Sequence, residues 1–171
     1  MRTVAIPIHG SVMAGIGVVV MLVARRSLGL GRGSCLSIGA VAAALLPLSV
    51  SRGFVMAMIG VLLEAAVLEA SLWAGRPGRW RGLFGGMLVG IVPPLQMLTR
   101  AVIHYGPAAL STFRETLLND RGADRLGLAG TGAGVLLALT LVISAVFGGL
   151  CGLTGWMLGG QILRRLGRET G

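Results

Sequence analysis

Several side chains that can ionise or hydrogen-bond fall inside strongly apolar runs. The stretch 91–106, IVPPLQMLTRAVIHYG, carries Gln96, Arg100, His104 and Tyr105. Gln96, Arg100 and His104 stand at i, i+4 and i+8, so they share one face of a helix. Pro93 and Pro94 come just before and should kink that helix. A second apolar run, FVMAMIGVLLEAAVLEASLW, holds Glu64 and Glu69. A carboxylate in lipid costs several kcal/mol unless it is paired, protonated or facing water. Arg100 and Gln96 are the natural partners for Glu64. The chemistry this suggests is recognition of a small molecule. Glu64 would form the floor of an outward-opening pocket, with Gln96, Arg100, His104, Tyr105 and His9 on its walls. An anionic ligand would use Arg100 and a cationic one Glu64. The same groups would also satisfy each other as an internal ion pair. Arg100 could equally snorkel to outer headgroups, and Glu69 could pair with the inner arginines near Arg76.

Other chemistry finds less support. His9 and His104 have no carboxylate or cysteine cluster beside them, so no metal or haem site is indicated. Cys35 and Cys151 are far apart and form no CxxC, which argues against a disulfide framework or zinc. GxSxG, HExxH and Asp-rich lipid-transferase patterns are missing. The expectation is a non-enzyme with no cofactor.

The elements that must position these residues follow from composition. The chain has 171 residues, 54% hydrophobic and 12% charged. Soluble domains carry about 25% charged residues. The mean hydropathy is +0.85, which points to lipid as the solvent. Net charge is +9 and every cation is Arg. The arginines cluster between apolar segments, as in membrane-protein loops, so nucleic acid is not an expected partner. A bilayer core of about 30 Å needs about 20 apolar residues as a helix. Runs at 4–24, 34–50, 54–73, 83–103 and 134–160 supply five spans, the second short and containing Pro47. The expected fold is a single all-α membrane domain over 1–171, a bundle of five or six transmembrane helices. A short amphipathic outer helix is expected over 107–118, from Leu110, Phe113 and Leu117 and a capping box at Thr112-x-x-Glu115.

Arginines alternate between the connections. Arg25, Arg26, Arg32, Arg76, Arg79, Arg81, Arg164, Arg165 and Arg168 fall on one side of a five-span chain. The positive-inside tendency makes that side cytoplasmic, with the N-terminus out and the C-terminus in. The expected location is a bacterial inner membrane. The last span carries a stripe of small residues, Ser144, Gly148, Gly152, Gly155 and Gly159, and the fourth adds Gly86-x-x-x-Gly90. Such faces let backbones approach closely, within the bundle or against another subunit.

Two segments resemble a known group. IPIHGSVMAGIGVVVMLVARRSLGLGRGSCLSIGAVAAALLPL resembles a helix, basic turn and Gly-rich helix of the substrate-binding (S) components of energy-coupling factor transporters. GGLCGLTGWMLGGQILRRLG resembles their last helix, which ends in an Arg pair. The resemblance covers about half the chain and rests on composition. It implies a membrane subunit that captures a micronutrient such as a vitamin or its precursor. It also implies docking on a transmembrane coupling subunit driven by two cytoplasmic ATPases, with Gly148, Gly152, Gly155 and Gly159 on the docking face. The chain departs from that group's usual six spans and lacks the Met-His start of its nickel and cobalt members. The alternative is a structural or assembly subunit whose polar residues pair internally.

Overall fold

A computed structural model describes residues 7–49, 54–73, 78–118 and 132–169, and these residues are helical apart from short turns. The helices are α1 (Pro7–Ser27), α2 (Ser34–Ser49), α3 (Phe54–Trp73), α4 (Arg79–Tyr105), α5 (Ala109–Leu118) and α6 (Ala133–Glu169). A 3₁₀ turn, Gly106–Ala108, joins α4 to α5. Four of them, α1, α3, α4 and α6, are long and apolar enough to cross a membrane. The short second run of the five-span expectation forms α2, which is not among these four. Its 16 residues reach about 24 Å at about 1.5 Å per residue, short of a core of about 30 Å. A glycine turn limits it at the start, where Gly29 and Gly33 take φ of 61° and 87°.

Helix α3 fills the expected run 54–73, the full extent of the described residues there, whereas α4 and α6 each run past their expected limits at both ends. Thr112 lies inside α5 rather than before it, so the expected capping box is not an N-cap. Helix α4 also continues through Pro93 and Pro94. Pro94 is among the most deeply buried side chains. A Cβ on Gly10 would sit 3.3 Å from Pro93 Cβ, which places the first turns of α1 against this point.

Close approaches define how the helices run. Gly82, Gly86 and Gly90 of α4 meet Gly152, Gly148 and Ser144 of α6, an antiparallel register with backbones almost touching. Gly155 of α6 meets Val19 and Leu22 of α1, and Gly159 meets Leu22 and Arg26, so α1 and α6 are parallel. Gly85 against Ser71 and Gly60 against Gln96 make α3 and α4 antiparallel. Gly39 against Ala65, with Cys35 N bonded to Glu69, does the same for α2 and α3. Ser11 and Ser144 share a buried hydrogen bond of 2.9 Å where α1, α4 and α6 converge. The core holds Ala14, Val18 and Leu22 of α1, Cys35 of α2, Ala65 and Leu68 of α3 and Val89 of α4.

In consequence the ends of α1, α3 and α6 and the starts of α2 and α4 lie at one end of the bundle. That end carries Arg25, Arg26, Arg32, Arg79, Arg81 and Arg164. Trp73, Trp80 and Trp156 lie there too, each beneath a guanidinium. Arg32 is 5.9 Å from the Trp73 ring centre, Arg79 is 5.5 Å from Trp80 and Arg26 is 4.4 Å from Trp156.

Candidate functional site

Two places gather polar side chains, and they differ in how well those side chains are satisfied. The first is at the Arg-rich end. Glu69 is 5% exposed. Its carboxylate accepts from Arg25 Nη1 at 2.9 Å, Gly33 N at 2.8 Å, Cys35 N at 2.9 Å and Trp73 Nε1 at 2.8 Å. The side chain thereby ties α1 to α3 through Arg25 and caps the start of α2 through backbone N–H groups. Those N–H groups have no partner inside their own helix, and the helix dipole there favours an anion. All four donors come from the chain itself, so the carboxylate acts as a clasp between helices. Pairing of Glu69 with the inner arginines is one of the sequence expectations, and Arg25 belongs to that set. Arg76 lies outside the described residues, and the pairing that forms is with Arg25.

The second place is a groove between α3 and α4 with a volume of about 360 Å³. Met56, Ile59, Leu63 and Val67 line it from α3, repeating along one helix face. Val92, Leu95, Gln96, Thr99, Arg100 and Ile103 line it from α4. The antiparallel register orders these residues. Met56 is level with Arg100, Ile59 with Gln96, and Val67 with the stretch just before Val92. Polar groups therefore stand at the end away from the Arg-rich pole, and the rest of the groove is aliphatic.

Two of the polar groups here are without partners among the described residues. Gln96 Nε2 is buried without a hydrogen-bond partner, and Gln96 packs on Gly60, where a Cβ would meet Oε1 at 3.0 Å. Arg100 is exposed and has neither an ion pair nor a hydrogen bond among the described residues. Thr99 Oγ1 donates to Leu95 O at 2.9 Å, which leaves its lone pairs open.

The expected polar pocket is thus only partly assembled. Gln96 and Arg100 reach the groove together. Glu64 does not line it, and Glu64 has no ion pair or hydrogen bond among the described residues, so the expected Glu64–Arg100 pair is not formed. The physical reasons are height and face: Glu64 stands about 12 Å inward of Met56, the residue level with Arg100. The groove takes Leu63 and Val67, and a neighbour one residue on points about a quarter-turn away. His104 and Tyr105 are exposed beyond the groove, their rings edge-to-face with centres 6.4 Å apart. His9 falls in the first turn of α1, and its side chain lies outside the described residues. Gly148, Gly152, Gly155 and Gly159, expected on a docking face, are all buried against α4 and α1. That stripe packs the bundle internally and presents no face to a second subunit. Among the described residues no three His, Cys, Asp or Glu side chains gather as a metal centre would need.

Two signals could have found the clasp earlier. Glu69 sits near the basic end of its run, and the Gly-rich turn before Ser34 leaves a helix start in need of an acceptor. Compared with protein-family models, with curated proteins and with solved structures, the chain matches none.

Proposed function

We propose that the chain is a membrane-embedded solute-binding subunit. The observation that carries this reading is the α3–α4 groove, an aliphatic slot with unsatisfied donors, Gln96 and Arg100, at one end. Ligand sites are typically about 300–1,000 Å³, mostly apolar, with a few convergent polar groups. Placement in a bilayer follows from the helix ends. Tryptophans favour membrane interfaces and arginines favour the cytoplasmic side, so the Arg- and Trp-rich pole sits at the inner surface. Arg100 then lies roughly 30 Å along α4 from Trp80 at about 1.5 Å per residue, at the outer edge of a core of about 30 Å. The groove opens in the outer half of the membrane.

The finer reading is uptake of a micronutrient in the manner of an energy-coupling factor S component in a bacterial inner membrane. It requires a docking face for the coupling subunit other than the Gly148–Gly159 stripe. A second reading, an assembly subunit without ligand, is favoured by the Arg25–Glu69 clasp, in which the buried charges pair with each other.

The test is mass spectrometry of small molecules co-purified with the detergent-solubilised chain. Solute binding predicts a compound enriched over an unrelated membrane protein and lost in Leu63→Trp, which fills the groove. Enrichment of polypeptides alone, with no small molecule, would favour the assembly reading.

A further inference from the structure

The polarity of the groove is graded, and the gradient identifies a class of ligand. Arg100, Thr99 and Gln96 stand at its outer end, with Met56 and Ile59 facing them from α3. Leu63, Val67, Val92 and Leu95 line it inward of them, and Ile103 lies just outward. Met56 to Val67 spans roughly 16 Å of helix at about 1.5 Å per residue, comparable with an extended dodecyl chain. Among the described residues the unpartnered groups at the polar end are the Gln96 amide N–H and the permanent cation of Arg100, beside the Thr99 lone pairs, and no carboxylate lines the groove. Glu64, the nearest acidic position on α3, lies off its face. A cationic head would meet Arg100 with like charge, and a neutral head would leave the guanidinium without a counterion. A compact polar solute would leave the aliphatic two-thirds of the slot against nothing.

We propose that the groove binds a single-chain amphiphile with an anionic carboxylate or phosphate head. The head sits at Arg100 and Gln96 near the outer membrane surface, and the tail runs between α3 and α4 toward the bundle middle. A guanidinium and an amide N–H are matched to such oxyanions, and a guanidinium can hold one through two parallel hydrogen bonds. The volume of about 360 Å³ is at the low end for ligand sites, which suits one slim chain rather than a two-chain lipid. This inference rests on the solute-binding reading and narrows its substrate.

The test is titration calorimetry on the full-length protein in nanodiscs of zwitterionic phosphatidylcholine. The probes are dodecyl phosphate, dodecanoate, dodecanol, dodecyltrimethylammonium and inorganic phosphate. Saturable binding is expected for the two anionic amphiphiles. Dodecanol, which lacks a charge-assisted bond, should bind roughly 10- to 150-fold more weakly. Arg100→Gln should weaken dodecyl phosphate by a similar factor while leaving dodecanol unchanged. Leu63→Trp should abolish binding of both. Arg100 is exposed and unpaired among the described residues, so its replacement should leave folding intact. The comparison of head groups on the unaltered chain does not depend on any variant.

Equal affinity for dodecanol and dodecyl phosphate overturns the proposal, as does tighter binding of the ammonium probe. So does inorganic phosphate binding as tightly as dodecyl phosphate, because the tail then contributes nothing. Full competition by phosphatidylglycerol in the nanodisc also overturns it, since the occupant would then be ordinary bilayer lipid. A non-amphiphilic solute found by co-purification would sink this inference and leave the solute-binding reading standing. Failure of every probe, with nothing co-purified, would sink both.

Discussion

Replacing Glu69 by Gln should destabilise the bundle more than any other single loss of charge in the described residues. Glu69 is 5% exposed, and in its ion pair the Arg25 side chain is 13% exposed. Gln keeps the size and one acceptor oxygen. It removes the counterion of Arg25 and brings an NH₂ group against one of the donors. Breaking a buried ion pair from one side costs about 3–5 kcal/mol, because the remaining charge stays out of water. The hydrogen bonds to Gly33 N and Cys35 N also weaken, since bonds to a charged acceptor are worth about 1.5–3 kcal/mol against about 1 for neutral ones. A loss of about 3–5 kcal/mol, at about 2–4 °C per kcal/mol for a chain of this size, lowers Tm by roughly 6–20 °C. The assay is thermal unfolding in detergent followed by tryptophan emission. Trp73 Nε1 donates to Glu69 at 2.8 Å, so its emission should also shift in the folded variant. Arg25→Gln alone should cost a similar amount, and the double variant should recover much of it, since no charge is then stranded. A Tm for Glu69→Gln within about 2 °C of the parent, or double-variant losses that simply add, would refute the clasp.

The α4–α6 contact should reject any side chain. Gly86→Ala places a Cβ against the Gly148 carbonyl and should cost upward of about 1–3 kcal/mol. Gly17→Ala, with nothing within 4 Å of the new atom, should be neutral or stabilise by up to about 1 kcal/mol. Equal Tm values for the two would contradict the packing. For the Ser11–Ser144 hydrogen bond, a double-mutant cycle to Ala should give a coupling of about 0.5–1.5 kcal/mol, and a coupling of zero would show that the hydroxyls do not interact. A reporter fused after Gly171 should read cytoplasmic and one inserted between α5 and α6 external, as the Arg-rich pole requires. The opposite pattern would move the groove to the inner leaflet.

The sequence by itself determined what depends on near neighbours along the chain. Hydropathy located the long helices, because a backbone in lipid must satisfy its own hydrogen bonds and only a long apolar helix does so. The run of α3 was legible because an unbroken stretch of apolar and helix-forming residues fills 54–73. The glycine stripe of α6 was legible as a close-packing face, since four-residue spacing alone aligns it. Which surface that stripe meets was not legible. Gly86 and Gly148 are far apart in the chain, and only assembly of the bundle brings them together. The same holds for charges. The antiparallel register sets Glu64 about two turns inward of the level of Arg100, and helix rotation takes it off the groove face. Rotation is set by which small residues interlock. Gly60 against Gln96 and Gly85 against Ser71 turn α3 so that Leu63 faces the groove and Glu64 does not. Glu69 finds Arg25 across 44 positions and the start of α2 across 34 to 36, because those helix ends share one pole. Local sequence thus placed the polar groups along the membrane normal, and tertiary packing decided which of them meet.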